Sequence, residues 1–322
     1  MKLGVITTIS KIINIFKERM FLVMILAVIC FLVARWALPV AQSKGMYSKA
    51  HMAMKVLWVS QGDIVIGGDS RAEIDVSPQM MKQELGEKRI LNFAFSGTGY
   101  SHSYLSALEK VVDLSGGQPT IILEANPYLF TQKAMTFNTF EQAKENVVSS
   151  KRMFALNFES FMRWTLPMPI LPYLRQKLLN DIVIPEWSFE RFEDGYVAAN
   201  LVPPNPTRLF NDQYFALKYH DNIIDDEIVN RVLRTIKQWQ QKGITVYMFR
   251  APLLNEILLQ EDRLSTLAQQ PWKDKFIQAG INWLEIPNHL FENQTYDGQH
   301  LNPDAACQYS LLLAQKMVAQ IN

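Results

Sequence analysis

The chain has 322 residues, 48% of them hydrophobic and 20% charged, a composition that builds a packed globule and excludes a disordered chain. A formal net charge of +1 leaves no electrostatic footprint for nucleic acid, which is not expected as a partner. The two cysteines exclude a disulfide framework: Cys30 falls in an apolar stretch, Cys307 stands alone in the remainder, and the redox compartment stays open.

In chain order, residues 1–19 form a short tail with Lys2, Lys11, Lys17 and Arg19, which favour its retention in the cytoplasm. Ile6, Ile9, Ile13 and Phe16 recur at helical spacing, either lying along the inner membrane surface or extending the helix that follows. Residues 20–38 are expected to be a single transmembrane anchor: Phe21 to Ala34 carries no charge, Arg35 can snorkel, and Trp36 suits the headgroup region. A cleaved signal peptide competes with this reading, but Ala37 to Ala41 lacks a clean small-x-small site. The expected orientation puts the following domain outside the cytoplasm, although Arg35, Lys44, Lys49 and Lys55 after the span weaken the charge bias.

A connector over 39–60 leads into a domain over 61–322. Short apolar runs predict strands at Asp63–Gly67, Arg89–Phe95, Thr120–Glu124, Thr245–Phe249 and Asn282–Ile286. Amphipathic segments predict helices at Pro78–Leu85, Tyr104–Val112, Asp226–Lys242 and Trp272–Ala279. A last helix starts with Asn302 as N-cap and Pro303 at its first position. This alternation is the pattern of an α/β domain with a parallel sheet and helices on both faces. Residues 127–225 break the pattern, with PMPILP at 167–172, PPNP at 203–206 and many aromatics. They read as an insertion, either a cap over the site or extra helices on one face.

Ligands of open parallel sheets bind beyond the carboxyl ends of the strands. The polar residues there are Gly68-Asp69-Ser70-Arg71 after the first strand, Ser96-Gly97 after the second, Asn126 after the third, and Asp297 to Pro303 before the last helix. A serine hydroxyl needs a base, and His300 is the candidate; Asp297 three residues earlier can fix its tautomer. The Ser70 and Gly97 amides and the Asn126 side chain are candidate oxyanion donors. Arg71 and Arg250 are candidates for contact with an anionic substrate group. His51, His102, His220 and His289 lack metal-ligand spacing, so no metal or cofactor is expected.

GDS at 68–70, SG at 96–97, Asn126, and DGQHLNPDA at 297–305 together resemble the four sequence blocks of the SGNH (GDSL-like) hydrolase superfamily. The resemblance covers about 62–126 and 245–321. Ala125 and Pro127 depart from the glycine and aspartate usual around the asparagine. It implies a flavodoxin-like three-layer sandwich, a Ser70-Asp297-His300 triad, and an oxyanion hole from Ser70, Gly97 and Asn126.

With an anchor, the resemblance further implies a single-pass membrane protein whose extracytoplasmic domain adds or removes acyl groups on an envelope polysaccharide or glycolipid. Its partners would be an acyl donor or acylated envelope glycan and an integral membrane acyltransferase. The alternatives are a lipase or thioesterase acting on membrane lipid or acyl esters, and a non-catalytic partner of a membrane acyltransferase.

Overall fold

The computed structural model describes residues 19–30, 33, 48–115, 117–148, 186–207, 218–266 and 272–321. The chain divides into two compact units. In the first, Met1–Gln42 with Phe161–Ile184, residues 19–30 are helical and their apolar side chains, among them Phe21 and Leu22, are exposed. Among the described residues no helix is long and apolar enough to cross a membrane. Residues 31, 32 and 34–38 of the expected anchor, the tail over 1–18, and the PMPILP stretch lie outside the described residues.

The second unit, Ser43–Ser160 with Pro185–Asn322, is built on a five-stranded sheet. Its strands are β1 (Ile64–Gly67), β2 (Ile90–Asn92), β3 (Thr120–Glu124), β6 (Thr245–Phe249) and β7 (Asn282–Leu284). Their order is β2-β1-β3-β6-β7, and every neighbouring pair is parallel. This order is compatible with a flavodoxin-like sandwich. The remaining strands, β4 (Glu186–Arg191) and β5 (Val197–Val202), form a separate antiparallel hairpin.

Period-two alternation divides the strand side chains between two cores. Val65, Ile121, Leu123, Val246 and Met248 face one cluster, with Tyr104, Leu108, Val232, Trp239, Trp272 and Phe276 from the helices. Ile64, Ile66, Ile122, Tyr247 and Phe249 face the other, with Met81, Ala305, Tyr309 and Leu313. Both sheet faces are therefore covered, which is why the strands read as unbroken apolar runs.

The predicted strands at 120–124 and 245–249 and the helix at 78–85 form with those bounds. The second and fifth strands end earlier than expected, at Asn92 and Leu284. Beyond Asn92 the chain leaves the ladder but keeps extended bonds, Phe93 N–H donating to Ile66 at 2.8 Å and Phe95 N–H to Gly68 at 3.1 Å.

The helices relevant below are α1 (Ser48–Val56), α2 (Ser70–Asp75), α3 (Pro78–Leu85), α4 (His102–Val111), α5 (Gln132–Thr136) and α6 (Thr139–Val148). After them come α7 (Asp226–Gln241), α8 (Asn255–Leu264), α9 (Trp272–Gln278) and α10 (Pro303–Ile321). Helix α1 falls within the 39–60 connector and contributes the fully buried Lys55.

The described part of the insertion holds the 3-10 turn Pro127–Phe130, α5, α6 and the β4–β5 hairpin. The hairpin lays Val197, Ala199 and Leu201 against Ile74 of α2 and Tyr296. Its turn places Gly195 at φ +90°, where a β-carbon would sit 2.0 Å from the Asn92 carbonyl oxygen, so only glycine fits.

Candidate active site

Strand β1 ends at Gly67 and the chain turns at once into α2, with Asp69 as N-cap. The Asp69 carboxylate accepts the Arg71 N–H at 3.0 Å. Gly68 is needed for close approach, because a β-carbon there would lie 2.6 Å from Cβ of Glu124. Glu124, the last residue of β3, is fully buried under this turn and accepts the Asp69 and Ala72 amides at 3.1 and 3.3 Å. Ser70 is thereby held at the first position of α2, half-buried at the carboxyl rim of the sheet.

The other half of the site is the loop over 295–301. Thr295 and Leu301 form an isolated antiparallel bridge, and Tyr296 N–H donates to the His300 carbonyl at 3.0 Å. Gly298 at its tip has φ +93°, and a β-carbon there would lie 2.2 Å from the Pro206 carbonyl oxygen. The Tyr296 ring stacks on the His300 ring with centroids 5.8 Å apart.

Sequence-distant halves meet here. His300 Nδ1 lies 2.8 Å from Asp297 Oδ2, and His300 Nε2 lies 2.9 Å from Ser70 Oγ, across 230 residues of chain. A carboxylate only accepts, so Nδ1 carries the proton and Nε2 is left to accept from the serine hydroxyl. Asp297 Oδ1 accepts the amides of Gln299 and His300 at 3.0 and 2.9 Å. Burial alone would raise the Asp297 carboxyl. The His300 ring, its hydrogen bond and the two amides outweigh burial and hold it below the usual carboxylate range. Asp297 and His300 are 3% and 7% exposed, so Ser70 is the open end of the relay.

The three expected oxyanion donors fall in different places. The Ser70 and Gly97 amides have no acceptor among the described residues, and both residues are half-buried. Asn126 is fully buried: its Oδ1 accepts the Leu129 N–H at 3.3 Å, and its Nδ2 donates to Glu124 Oε1 at 2.7 Å. Asn126 caps the short 3-10 turn Pro127–Phe130, in which Pro127 takes the first position.

Arg71 and Arg250 are engaged by carboxylates. Arg71 is 1% exposed and grips Glu261 bidentately at 3.0 and 2.8 Å, while Arg250 donates to Glu261 and Asp262 at 3.1 and 2.5 Å. An anionic substrate would have to displace Glu261 to reach Arg71. The expectation of a substrate contact is therefore replaced, for Arg71, by a buried ion pair that braces α2 against α8. A pocket of about 180 Å³ lies beside β6 and β7, lined by Arg250, Lys273, Trp283 and Asn288 among others; Ser70, Asp297 and His300 do not line it. Among the described residues no group of three or more His, Cys, Asp and Glu side chains is placed to hold a metal ion.

Four further acidic residues support the site without having been singled out in the sequence: Glu73, Asp75, Glu124 and Glu261. Glu124 had a readable signal, an acid ending an apolar strand at the ligand-binding rim. The others are recognisable only through partners distant in sequence. Compared with known proteins, the chain matches no family model and no curated protein.

Proposed function

We propose that this chain is an SGNH-type serine enzyme that moves acyl groups on or off an extracytoplasmic glycan of the cell envelope. The observation that carries the proposal is the unbroken relay from Asp297 through His300 to Ser70, at 2.8 and 2.9 Å. In the first half-reaction the Ser70 oxygen bonds to the acyl carbon while its proton passes to His300 Nε2. The carbonyl electron pair becomes an oxyanion facing the Ser70 and Gly97 amides. Collapse breaks the carbon–oxygen bond to the leaving alcohol, which departs with the proton from His300. In the second half-reaction an incoming hydroxyl gives its proton to His300 and its oxygen to the acyl carbon, releasing Ser70. Water as that acceptor makes the protein an esterase; a sugar hydroxyl makes it an O-acyltransferase.

The choice of an envelope glycan rests on the likeness to anchored SGNH proteins and on the apolar, exposed helix over 19–30, which supports membrane attachment. The partner proposed with it is an integral membrane acyltransferase that supplies the acyl group.

Two measurements test the proposal. A fluorophosphonate probe should label the intact chain and fail to label Ser70→Ala, whereas equal labelling of both would discard the serine mechanism. In cells, Ser70→Ala should change the acyl content of an envelope glycan; unchanged acylation would discard that substrate class.

A further inference from the structure

We propose that Thr139, at the first position of α6 in the insertion, positions the Gly97 amide as an oxyanion donor, with Glu73 fixing the same loop from the side of the nucleophile helix. This rests on the acyl-transfer reading above.

The direction of the Gly97 N–H is set by the peptide it shares with the Ser96 carbonyl. That carbonyl accepts the Thr139 hydroxyl at 2.7 Å. A trans peptide is planar, with C=O and N–H on opposite edges, so tying the oxygen to Thr139 turns the Gly97 N–H away from α6. The amide has no acceptor among the described residues. Gly97 has φ +77°, yet the nearest atom to a β-carbon there would be Thr139 Cγ2 at 3.8 Å. Glycine is required at this position for the backbone angle rather than for space.

The flanking residues are tied down as closely. Glu73 Oε2 accepts both the Ser96 N–H at 3.1 Å and the Ser96 hydroxyl at 2.5 Å. Lys55 from α1 neutralises Glu73 at 3.1 Å in a fully buried pair. On the other side Asn138, next to Thr139, accepts the Thr98 hydroxyl at 2.7 Å and donates to the Gly99 carbonyl at 3.4 Å. Glu73 lies one turn from Ser70 on α2, so nucleophile and oxyanion loop are referenced to one short helix. The insertion thus contributes to the chemistry through consecutive residues, Asn138 and Thr139.

A neutral hydrogen bond adds little net stability, whereas a lost oxyanion donor slows turnover by about 100- to 1,000-fold. That asymmetry separates positioning from a merely structural role. The test compares the full chain with Thr139→Val, Thr139→Ala and Thr139→Ser, using p-nitrophenyl acetate turnover, fluorophosphonate labelling rate and thermal midpoint. Thr139→Val and Thr139→Ala, which both lack the hydroxyl but pack differently, should lose about 10- to 100-fold in kcat with KM nearly unchanged, as expected for a donor misaligned rather than removed. Thr139→Ser, which keeps the hydroxyl, should recover to within about threefold of the parent. Unchanged kcat, a loss confined to KM, no recovery in Thr139→Ser, or kcat losses that track the thermal midpoint would each overturn the inference. If the parent chain itself is not labelled at Ser70, the acyl-transfer reading falls. A labelled parent with unaffected Thr139 variants removes only the role of Thr139.

Discussion

Asp75 holds Leu301: its Oδ1 accepts the Leu301 N–H at 2.9 Å, at the far end of the six-residue helix that begins with Ser70. One short helix therefore carries the candidate nucleophile at its first residue and clamps the neighbour of His300 at its last. Burial pushes the Asp75 carboxyl well above its usual value; the Leu301 amide opposes this, and the neighbouring Glu124 and Asp297 carboxyls add to it. Its Oδ2 has no hydrogen-bond partner.

The first prediction follows from the sign of that shift. Below about pH 3.9 both folded and unfolded chains keep the proton; above it only the folded chain does, so stability falls as pH rises toward the raised folded value. Asp75→Asn retains a carbonyl for Leu301 and does not titrate. Relative to the parent, it should gain stability in urea titrations as the pH rises above about 4. Parallel pH profiles for the two proteins would show that Asp75 is not held protonated.

Glu124 gives a second prediction. Three N–H donors converge on its oxygens, from Asp69, Ala72 and Asn126. In Glu124→Gln one of those oxygens becomes an amide nitrogen, which accepts nothing. At least one buried donor then loses its partner, at a cost of about 1–3 kcal/mol. Denaturant midpoints should fall accordingly, and fluorophosphonate labelling of Ser70 should slow because the nucleophile turn hangs from these bonds. A variant as stable and as reactive as the parent would assign the turn's geometry to other contacts.

Much of the sheet was legible because its central strands β1, β3 and β6, buried on both faces, are continuous apolar runs bounded by turn residues. The candidate site was legible because Ser70 follows such a run, and Asp297 and His300 precede a last helix whose start is marked by Asn302 and Pro303. Helix α2 was not: six residues are too few for an apolar period, and Glu124, more than fifty residues away, accepts amides from its start. The β4–β5 hairpin was missed although its signal was present, since Asp194-Gly195 lies between runs in which Val197, Ala199 and Leu201 alternate inward. Arg71 looked like a solvent-facing or substrate-facing cation because Glu261, the partner that buries it, comes 190 residues later.

That pair supports a third prediction. Glu261 accepts from Arg71, Arg250 and the Tyr219 hydroxyl, and the charge of Arg71 above all, after the cost of burial, holds its carboxyl well below the usual range. Removing one partner of a buried ion pair strands the other charge, so Glu261→Ala should cost about 3–5 kcal/mol. Adding Arg71→Met to it should restore much of that loss, measured as urea midpoints in a double-mutant cycle. Additive losses would mean that the two side chains act independently.

His51 yields the last prediction, and its sign is opposite to that of Asp75. The ring is fully buried on α1, where Nε2–H donates to the Phe192 carbonyl at 3.0 Å and Nδ1 has no partner. Burial first, then the positive charge of Lys55, lowers its pKa to about 3; Glu73 opposes the shift. Between about pH 6.5 and pH 3 the unfolded chain binds a proton that the folded chain refuses, so stability drops as the solution is acidified through that window. At pH 5 the deficit relative to pH 7 should reach about 2 kcal/mol from this residue alone, at 1.36 kcal/mol per pH unit. His51→Gln keeps a donor for Phe192 without titrating. It should be less stable than the parent at pH 7, through lost packing, and should lose less on going to pH 5. If both proteins lose the same stability over that interval, His51 is not the group that senses the acid.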